Sequence, residues 1–245
     1  MAPRIFHSGP LTEGTDIILT GGAAAHLSKV LRVRVADSII VFNGDGSDYR
    51  AQIISTAHNE VAITIGRSHE PRTESPITVI LLQGICRNPR MDILIQKSTE
   101  LGIREIRPIV CERSVVKIGE ARKEKKLQHW EAIAISACEQ SGRAQIPKIR
   151  SPDGLAAALE QLDTGTARLM LDPSGSDTLR TAVESRQAIA LLIGPEGGLT
   201  DGEQAAATDA GFKQVRLGPR ILRTETAPIA AISIIQYLFG DLDNE

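Results

Sequence analysis

Over the first seventy residues, apolar positions recur in short alternating runs at 4–7, 38–43, 49–56 and 61–67, with one stretch, 23–33, at helical spacing. A period of two puts successive side chains on opposite faces of a strand, so these runs predict a small half-buried sheet around one helix, a small β-barrel. Asn43-Gly44-Asp45-Gly46 falls between two of the runs, where a hairpin turn needs positive φ at glycine. The following stretch, 68–76, holds Pro71 and Pro76 among charged side chains and reads as connecting chain, the linker proper being 71–76.

Beyond the linker the rhythm changes. Continuous apolar runs at 77–83, 106–111, 168–172, 188–193 and 214–217 alternate with helical patterns at 92–101, 122–142, 155–162, 179–184, from 201 and from 227. Strands apolar at nearly every position are buried on both faces, and strand–helix alternation supplies the crossovers that parallel neighbours need. The expectation is an α/β domain over 77–245 with a mostly parallel sheet and helices on both faces, preceded by the barrel at 1–70.

In such a sheet ligands collect beyond the carboxyl ends of the strands. Three loops follow strands there: 171–175, 193–199 and 217–227. The middle one, Gly194-Pro195-Glu196-Gly197-Gly198-Leu199, leads into Thr200-Asp201-Gly202-Glu203, which has capping-box spacing with Thr200 as N-cap and Glu203 at the third helical position. Its glycines would let a ligand approach backbone amides and carbonyls closely, and a tight strand-to-helix turn with no ligand is the plain alternative. No Lys-Ser or Lys-Thr follows them and no Gly-x-Gly-x-x-Gly stands at a strand–helix junction, which weakens triphosphate and dinucleotide readings. The carboxylates of Glu196 and Glu225 suit a cationic ligand better than a polyphosphate. The helix from 227 is apolar on every face (Ala227-Pro228-Ile229-Ala230-Ala231-Ile232), so it must be buried in the core or against a second subunit, and composition favours the core.

Composition narrows the partners. Hydrophobic residues at 42% and charged residues at 24% exclude a disordered chain, while aromatics at 3% make base-stacking platforms a poor route to nucleic acid. Net charge is −2, yet residues 87–126 carry eleven basic side chains, Lys117 among them, against six acidic ones. Attraction to a polyanion would therefore be local. Cys86, Cys111 and Cys138 are widely spaced and odd in number, as core thiols of a reducing compartment are. Residues 1–11 carry Pro3, Arg4 and His7 in place of a signal-peptide apolar run, and no segment has the apolar length of a membrane span, so a cytoplasmic protein is expected.

The motifs His26-Leu27-Ser28-Lys29-Val30-Leu31-Arg32, Gln96-Lys97-Ser98-Thr99-Glu100-Leu101-Gly102, Glu139-Gln140-Ser141-Gly142-Arg143, Gly194 to Leu199 and Leu217 to Ala227, in this order, span nearly the whole chain. Together they resemble the RsmE-type ribosomal RNA uracil-N3 methyltransferases of the SPOUT superfamily. The resemblance implies a PUA-like barrel for RNA, a trefoil-knotted C-terminal domain that binds S-adenosylmethionine without a metal, and a homodimer in which the apolar last helix is an interface candidate. It implies a donor site lined by Leu171, Ile193, Gly194, Gly197, Gly198, Leu217, Gly218, Ile221, Leu222, Arg223, Thr226 and Ala227. Two features depart from the family pattern: Arg87-Asn88-Pro89-Arg90 stands where Lys-Gly-Asp-Arg is frequent, and Ala36 stands at a frequent glycine.

The implied reaction transfers methyl to N3 of a small-subunit (16S) rRNA uridine, giving 3-methyluridine and S-adenosylhomocysteine. N3 must lose its proton, and the base must be unpaired or flipped outward. Glu225 and Glu196 are candidate proton acceptors, with capping or pairing as their structural alternatives, and Arg223 is a candidate for stabilising the uridine anion. Arg4, His26, Lys29, Arg32 and Arg34 on the barrel, and Arg87, Arg90, Lys97 and Arg143 near the cleft, are candidate RNA contacts, acting as a group through many weak charge contacts. The substrate is expected in an assembled subunit. A SPOUT methyltransferase acting on tRNA or a ribose hydroxyl, and a non-catalytic ribosome-assembly protein, are the competing classes.

Overall fold

The computed structural model describes residues 2–57, 59–116, 118–183 and 187–243; Lys117 of the basic stretch and Glu184, the expected end of one helix, lie outside them. The chain forms two compact units, Met1–Glu74 with Cys138–Ile146, and Ser75–Ala137 with Pro147–Glu245.

The first unit holds β1 (Arg4–Phe6), β2 (Asp16–Thr20), α1 (Gly21–Ala25) running into a π turn at His26–Val30, β3 (Ser38–Phe42), β4 (Asp48–Ala57) and β5 (Glu60–His69). They make one five-stranded sheet in the order β1-β3-β4-β5-β2. Two register shifts in the β4–β5 ladder bend the sheet, and the alternate residues Ile39 and Val41, Ala51 and Ile53, and Val61, Ile63 and Ile65 fill the inside with Leu19 and Leu27. Gly44 and Gly46 take the positive φ expected of the hairpin turn. β2 is unexpected from the pattern, because only Leu19 of Ile17-Ile18-Leu19 is buried in a short strand whose Ile18 stays exposed. The expected helix at 23–33 ends earlier, at Val30, and β5 extends through Ser68 and His69 into the expected connecting chain. Segment 138–146 is sewn into this unit. Glu139 accepts from the Phe6 amide at 3.0 Å, and Arg143 meets Glu74 at 2.7 Å.

The second unit is built on β6 (Thr78–Gly84), α2 (Asn88–Glu100), β7 (Glu105–Val110), α3 (Glu120–Ser141, whose end belongs to the first unit), β8 (Lys148–Ile149), β9 (Asp153–Gly154), α4 (Leu155–Glu160), β10 (Ala167–Leu171), α5 (Leu179–Ala182), β11 (Ala188–Ile193), α6 (Asp201–Asp209), β12 (Lys213–Val215) and α7 (Thr226–Phe239). All its paired strands run parallel, in the order β12-β10-β11-β6-β7-β8 with β9 beside β7. The two central strands, β6 and β11, are buried along almost their whole length, which is why their sequences read as unbroken apolar runs. Register brings Gln83 beside Ile193 and Leu171 beside Val215, so four strands end at one edge of the sheet. Helix α7 packs Ala227, Ala231, Ile232, Ile235 and Gln236 inward but leaves Ile234 and Tyr237 exposed, so burial in this unit's core accounts for only part of its apolar surface.

Candidate functional site

The loops after β10, β11 and β12 converge beyond that sheet edge around a cavity of about 650 Å³. One buried side chain ties two of them to the end of β6: the Thr224 hydroxyl, in the loop after β12, accepts from Gln83 Nε2 at 3.1 Å and donates to the Gly194 carbonyl, in the loop after β11, at 2.9 Å. Glycine is demanded here partly by the protein's own packing. A Cβ on Gly84 would stand 2.4 Å from the Pro195 nitrogen, and one on Gly194 would press on Gly198 and Leu199 backbone at 3.0–3.2 Å. Gly198 is different: its φ of +70° selects glycine, and nothing stands within 4 Å of its Cβ position, so its backbone is open to a ligand. The Thr200–Glu203 capping box forms as the spacing requires, and Glu203 also accepts from the Glu112 amide at 2.9 Å.

Of the residues expected to line a donor site, Leu171, Ile193, Gly194, Gly197, Gly198, Leu217, Gly218, Ile221, Leu222, Arg223 and Ala227 surround this cavity, whereas Thr226 does not. Thr226 instead leads the chain into α7, its backbone N–H donating a hydrogen bond to the Arg223 carbonyl at 2.9 Å. Sequence reasoning missed Thr224, which had no signal beyond its place between two implicated residues. It also missed Arg113, whose guanidinium donates to the Leu199 carbonyl at 3.1 Å, because nothing local ties residue 113 to residue 199.

Glu196 and Glu225 share one cation. Glu196 Oε1 accepts from Arg90 Nη1 and from the Arg87 amide, each at 3.1 Å, while Glu225 Oε2 lies 3.7 Å from Arg90 Nε. Two carboxylates on one guanidinium leave a surplus of negative charge, and the second oxygen of Glu196 and Oε2 of Glu225 have no hydrogen-bond partner. Glu196 and Arg90 line the cavity, and Glu225 stands behind Arg90 rather than in the wall. Burial, reinforced by the charges of Glu196 and Glu225, pushes the Cys86 thiol up to about 12.

The candidate RNA contacts divide. His26, Lys29, Arg32 and Arg34 are exposed together on the first unit, interleaved with exposed Val30, Leu31 and Val35. Arg87 is exposed, Arg90 half-buried, and Lys97 is bound to Glu100 at 2.8 Å. Arg4 and Arg143 are corrected: both are buried within the first unit, Arg4 paired with Asp48 and Arg143 with Glu74, so their charge is spent inside the fold. Sequence offers no sign of this, because the partners lie 44 and 69 residues away.

A family model for an RNA methyltransferase domain matches residues 73–236, and one for an RNA methyltransferase PUA domain matches 19–66. The ribosomal RNA small subunit methyltransferase E of Buchnera aphidicola (subsp. Schizaphis graminum) is 35% identical over 240 residues, covering 98% of both chains. This chain belongs to the ribosomal RNA small subunit methyltransferase E family. The Bacillus subtilis family member is 29% identical over 93% of this chain and 92% of its own. Among solved structures, the family member from Neisseria gonorrhoeae bound to S-adenosyl methionine superposes with a TM-score of 0.93 at 37% identity, covering 99% of this chain and 100% of that one. A methyltransferase from Legionella pneumophila, also with bound S-adenosylmethionine, gives 0.94 at 38% identity, with 99% and 100% covered. The family models assign both units: the curled N-terminal sheet is PUA-like and the parallel α/β unit is the RNA methyltransferase domain.

Proposed function

We propose that this protein transfers a methyl group from S-adenosylmethionine to N3 of a uridine in small-subunit (16S) rRNA, giving 3-methyluridine. The observation that carries the proposal is the convergence of three strand-end loops on one cavity, two of them pinned together by Thr224, in a chain related along nearly its whole length to ribosomal RNA small subunit methyltransferases. The residues fit the donor. About 650 Å³ is within the range of small-molecule sites. Leu171, Ile193, Leu217, Leu222 and Ala227 offer apolar wall, Gly198 offers backbone, and Asp172 and Glu196 are the carboxylates in the lining.

S-adenosylmethionine supplies an electrophilic methyl group on a positively charged sulfur. The protein's share is to orient the base and manage one proton. Glu196 is committed to Arg90 and to the Arg87 amide, so its role is positioning α2 against the loop. Glu225 Oε2 is unbonded but stands behind Arg90, so Glu225 accepts the N3 proton only when Arg90 turns aside for the base, and Arg223 in the cavity wall stabilises the charge left on the uracil oxygens. His26 and the exposed cations Lys29, Arg32 and Arg34 of the barrel, with Arg87, Arg90 and Lys97 of the second domain, hold RNA backbone. The domains we assign are an RNA-binding barrel at 1–70, a linker at 71–76 and a trefoil-knotted methyltransferase domain at 77–245. The protein acts in the cytoplasm on an assembled subunit, as a homodimer through α7; among the described residues no helix is long and apolar enough to cross a membrane.

The test is nucleoside mass spectrometry of small-subunit rRNA incubated, free or assembled, with purified protein and isotopically labelled S-adenosylmethionine. Labelled 3-methyluridine is expected. Label on ribose, on another base or nowhere contradicts the proposal.

A further inference from the structure

A second cavity, of about 440 Å³, opens beside the start of α2 and is lined by Arg87, Asn88, Val116, Ile118, Arg122 and Lys126. Three of these six side chains are cationic and none is acidic. Arg122 and Lys126 stand four residues apart on α3 and so share a face of that helix. Among the described residues neither Arg87 nor Arg122 has a carboxylate within ion-pair distance, and Lys126 is tied to the neutral Asn88 oxygen and stands 5.7 Å over the Trp130 ring. Cations that serve the fold itself are treated differently elsewhere in the chain: Arg107, Arg143 and Arg4 are each buried against a carboxylate. Among the described residues no carboxylate lines the hollow, and an anion would complete the three positive groups gathered there.

The hollow is joined to the site already described through the first turn of α2. The Arg87 amide and the Arg90 guanidinium are bonded to the same Glu196 oxygen, each at 3.1 Å, and Arg90 and Glu196 line the larger cavity. We propose that the second cavity is a phosphate pocket for the RNA substrate: it takes a backbone phosphodiester next to the target nucleotide, with Arg122 and Lys126 of α3 and Arg87 of α2 as its donors. Seating one phosphate here fixes the strand over the α2 turn and presents the neighbouring base to the cleft. The inference rests on the RNA-methyltransferase reading and adds α3 to the RNA surface.

The experiment compares the full-length Arg122→Ala/Lys126→Ala double variant with wild type and with Lys125→Ala/Arg180→Ala, which removes two exposed cations outside the hollow. RNA affinity, KM for RNA and calorimetric uptake of S-adenosylmethionine are measured across salt, with thermal melts to confirm folding. The pocket predicts an RNA affinity lowered about tenfold, a KM raised with kcat little changed, and a plot of log affinity against log salt shallower by about 1. Donor uptake stays at the wild-type level, and the control pair changes little. Equal losses in both pairs, or an unchanged KM, overturn the pocket while leaving the enzymatic reading intact. Weakened binding of assembled subunits but not of free RNA assigns the hollow to an acidic protein surface and overturns it too. Binding of inorganic phosphate without any RNA phenotype marks an adventitious ion only. A wild type that neither binds donor nor methylates RNA sinks the enzymatic reading and the pocket together.

Discussion

At the residue scale, Thr224 is the joint of the site. Replacing it with Val removes the hydroxyl that satisfies Gln83 and the Gly194 carbonyl, and stranding buried polar groups costs about 1–3 kcal/mol. Thr224→Val should therefore melt at lower temperature and hold donor less tightly, by calorimetry, with the RNA affinity of the barrel unchanged. Glu225→Gln keeps shape and removes the proposed base; a kcat lowered by about 10²–10⁴ with donor affinity retained is expected in single-turnover methylation. A wild-type rate would remove Glu225 from the chemistry. Ala36 stands at φ +73° where the family resemblance has a frequent glycine, so the departure from the pattern is also a strained position. Ala36→Gly relieves left-handed strain at the expense of chain entropy, and urea unfolding should show a net gain of roughly 0.5–1 kcal/mol. The three thiols are buried, with burial the first cause of raised values of about 12 for Cys86 and Cys111 and about 11 for Cys138. At pH 8 the folded protein should resist a thiol reagent that labels the unfolded chain at once.

At the element scale, the parallel sheet depends on how its far edge is held. Glu105 on β7 binds Arg107 at 2.8 Å and Arg150, just beyond β8, at 2.7 Å. Burial alone would raise its carboxyl, but the hydrogen bonds from Arg150 and Arg107 outweigh it and hold the group below its ordinary 4.5. A depressed carboxyl stabilises the fold above its unfolded value and loses that contribution as pH falls through its folded one. Glu105→Gln should cost about 3 kcal/mol at pH 7, because it leaves the charge of the buried Arg107 without its carboxylate, and the variant should be less sensitive than wild type to acid below pH 4.5. Urea midpoints at pH 7 and pH 3 check both parts. The strands of this sheet were readable because burial on both faces leaves an unbroken apolar run. β2 was not, since an edge strand of five residues with one buried side chain carries no periodic signal.

At the scale of the whole molecule, loops carrying the candidate donor site could be picked from the sequence because parallel strands collect their functional loops at one edge. Arg113, Thr224 and the ion pairs that bury Arg4 and Arg143 could not, because each joins positions far apart in sequence. The open face of α7, with Ile234 at 40% and Tyr237 at 54% exposure, argues for a second copy as its cover. Sedimentation should find a dimer, and Tyr237→Glu with Ile234→Asp should yield folded monomers; a wild-type monomer at micromolar concentration would remove α7 as an interface.

The central claim is that the loops after β10, β11 and β12 make one seat for the methyl donor, and titration calorimetry of purified, donor-free protein with S-adenosylmethionine and S-adenosylhomocysteine tests it most directly. Saturable binding of both, weakened in Thr224→Val and unaffected by alanine at Lys29 and Arg32, is the predicted result. Heat no greater than that of dilution, from protein shown to be folded, would contradict the account.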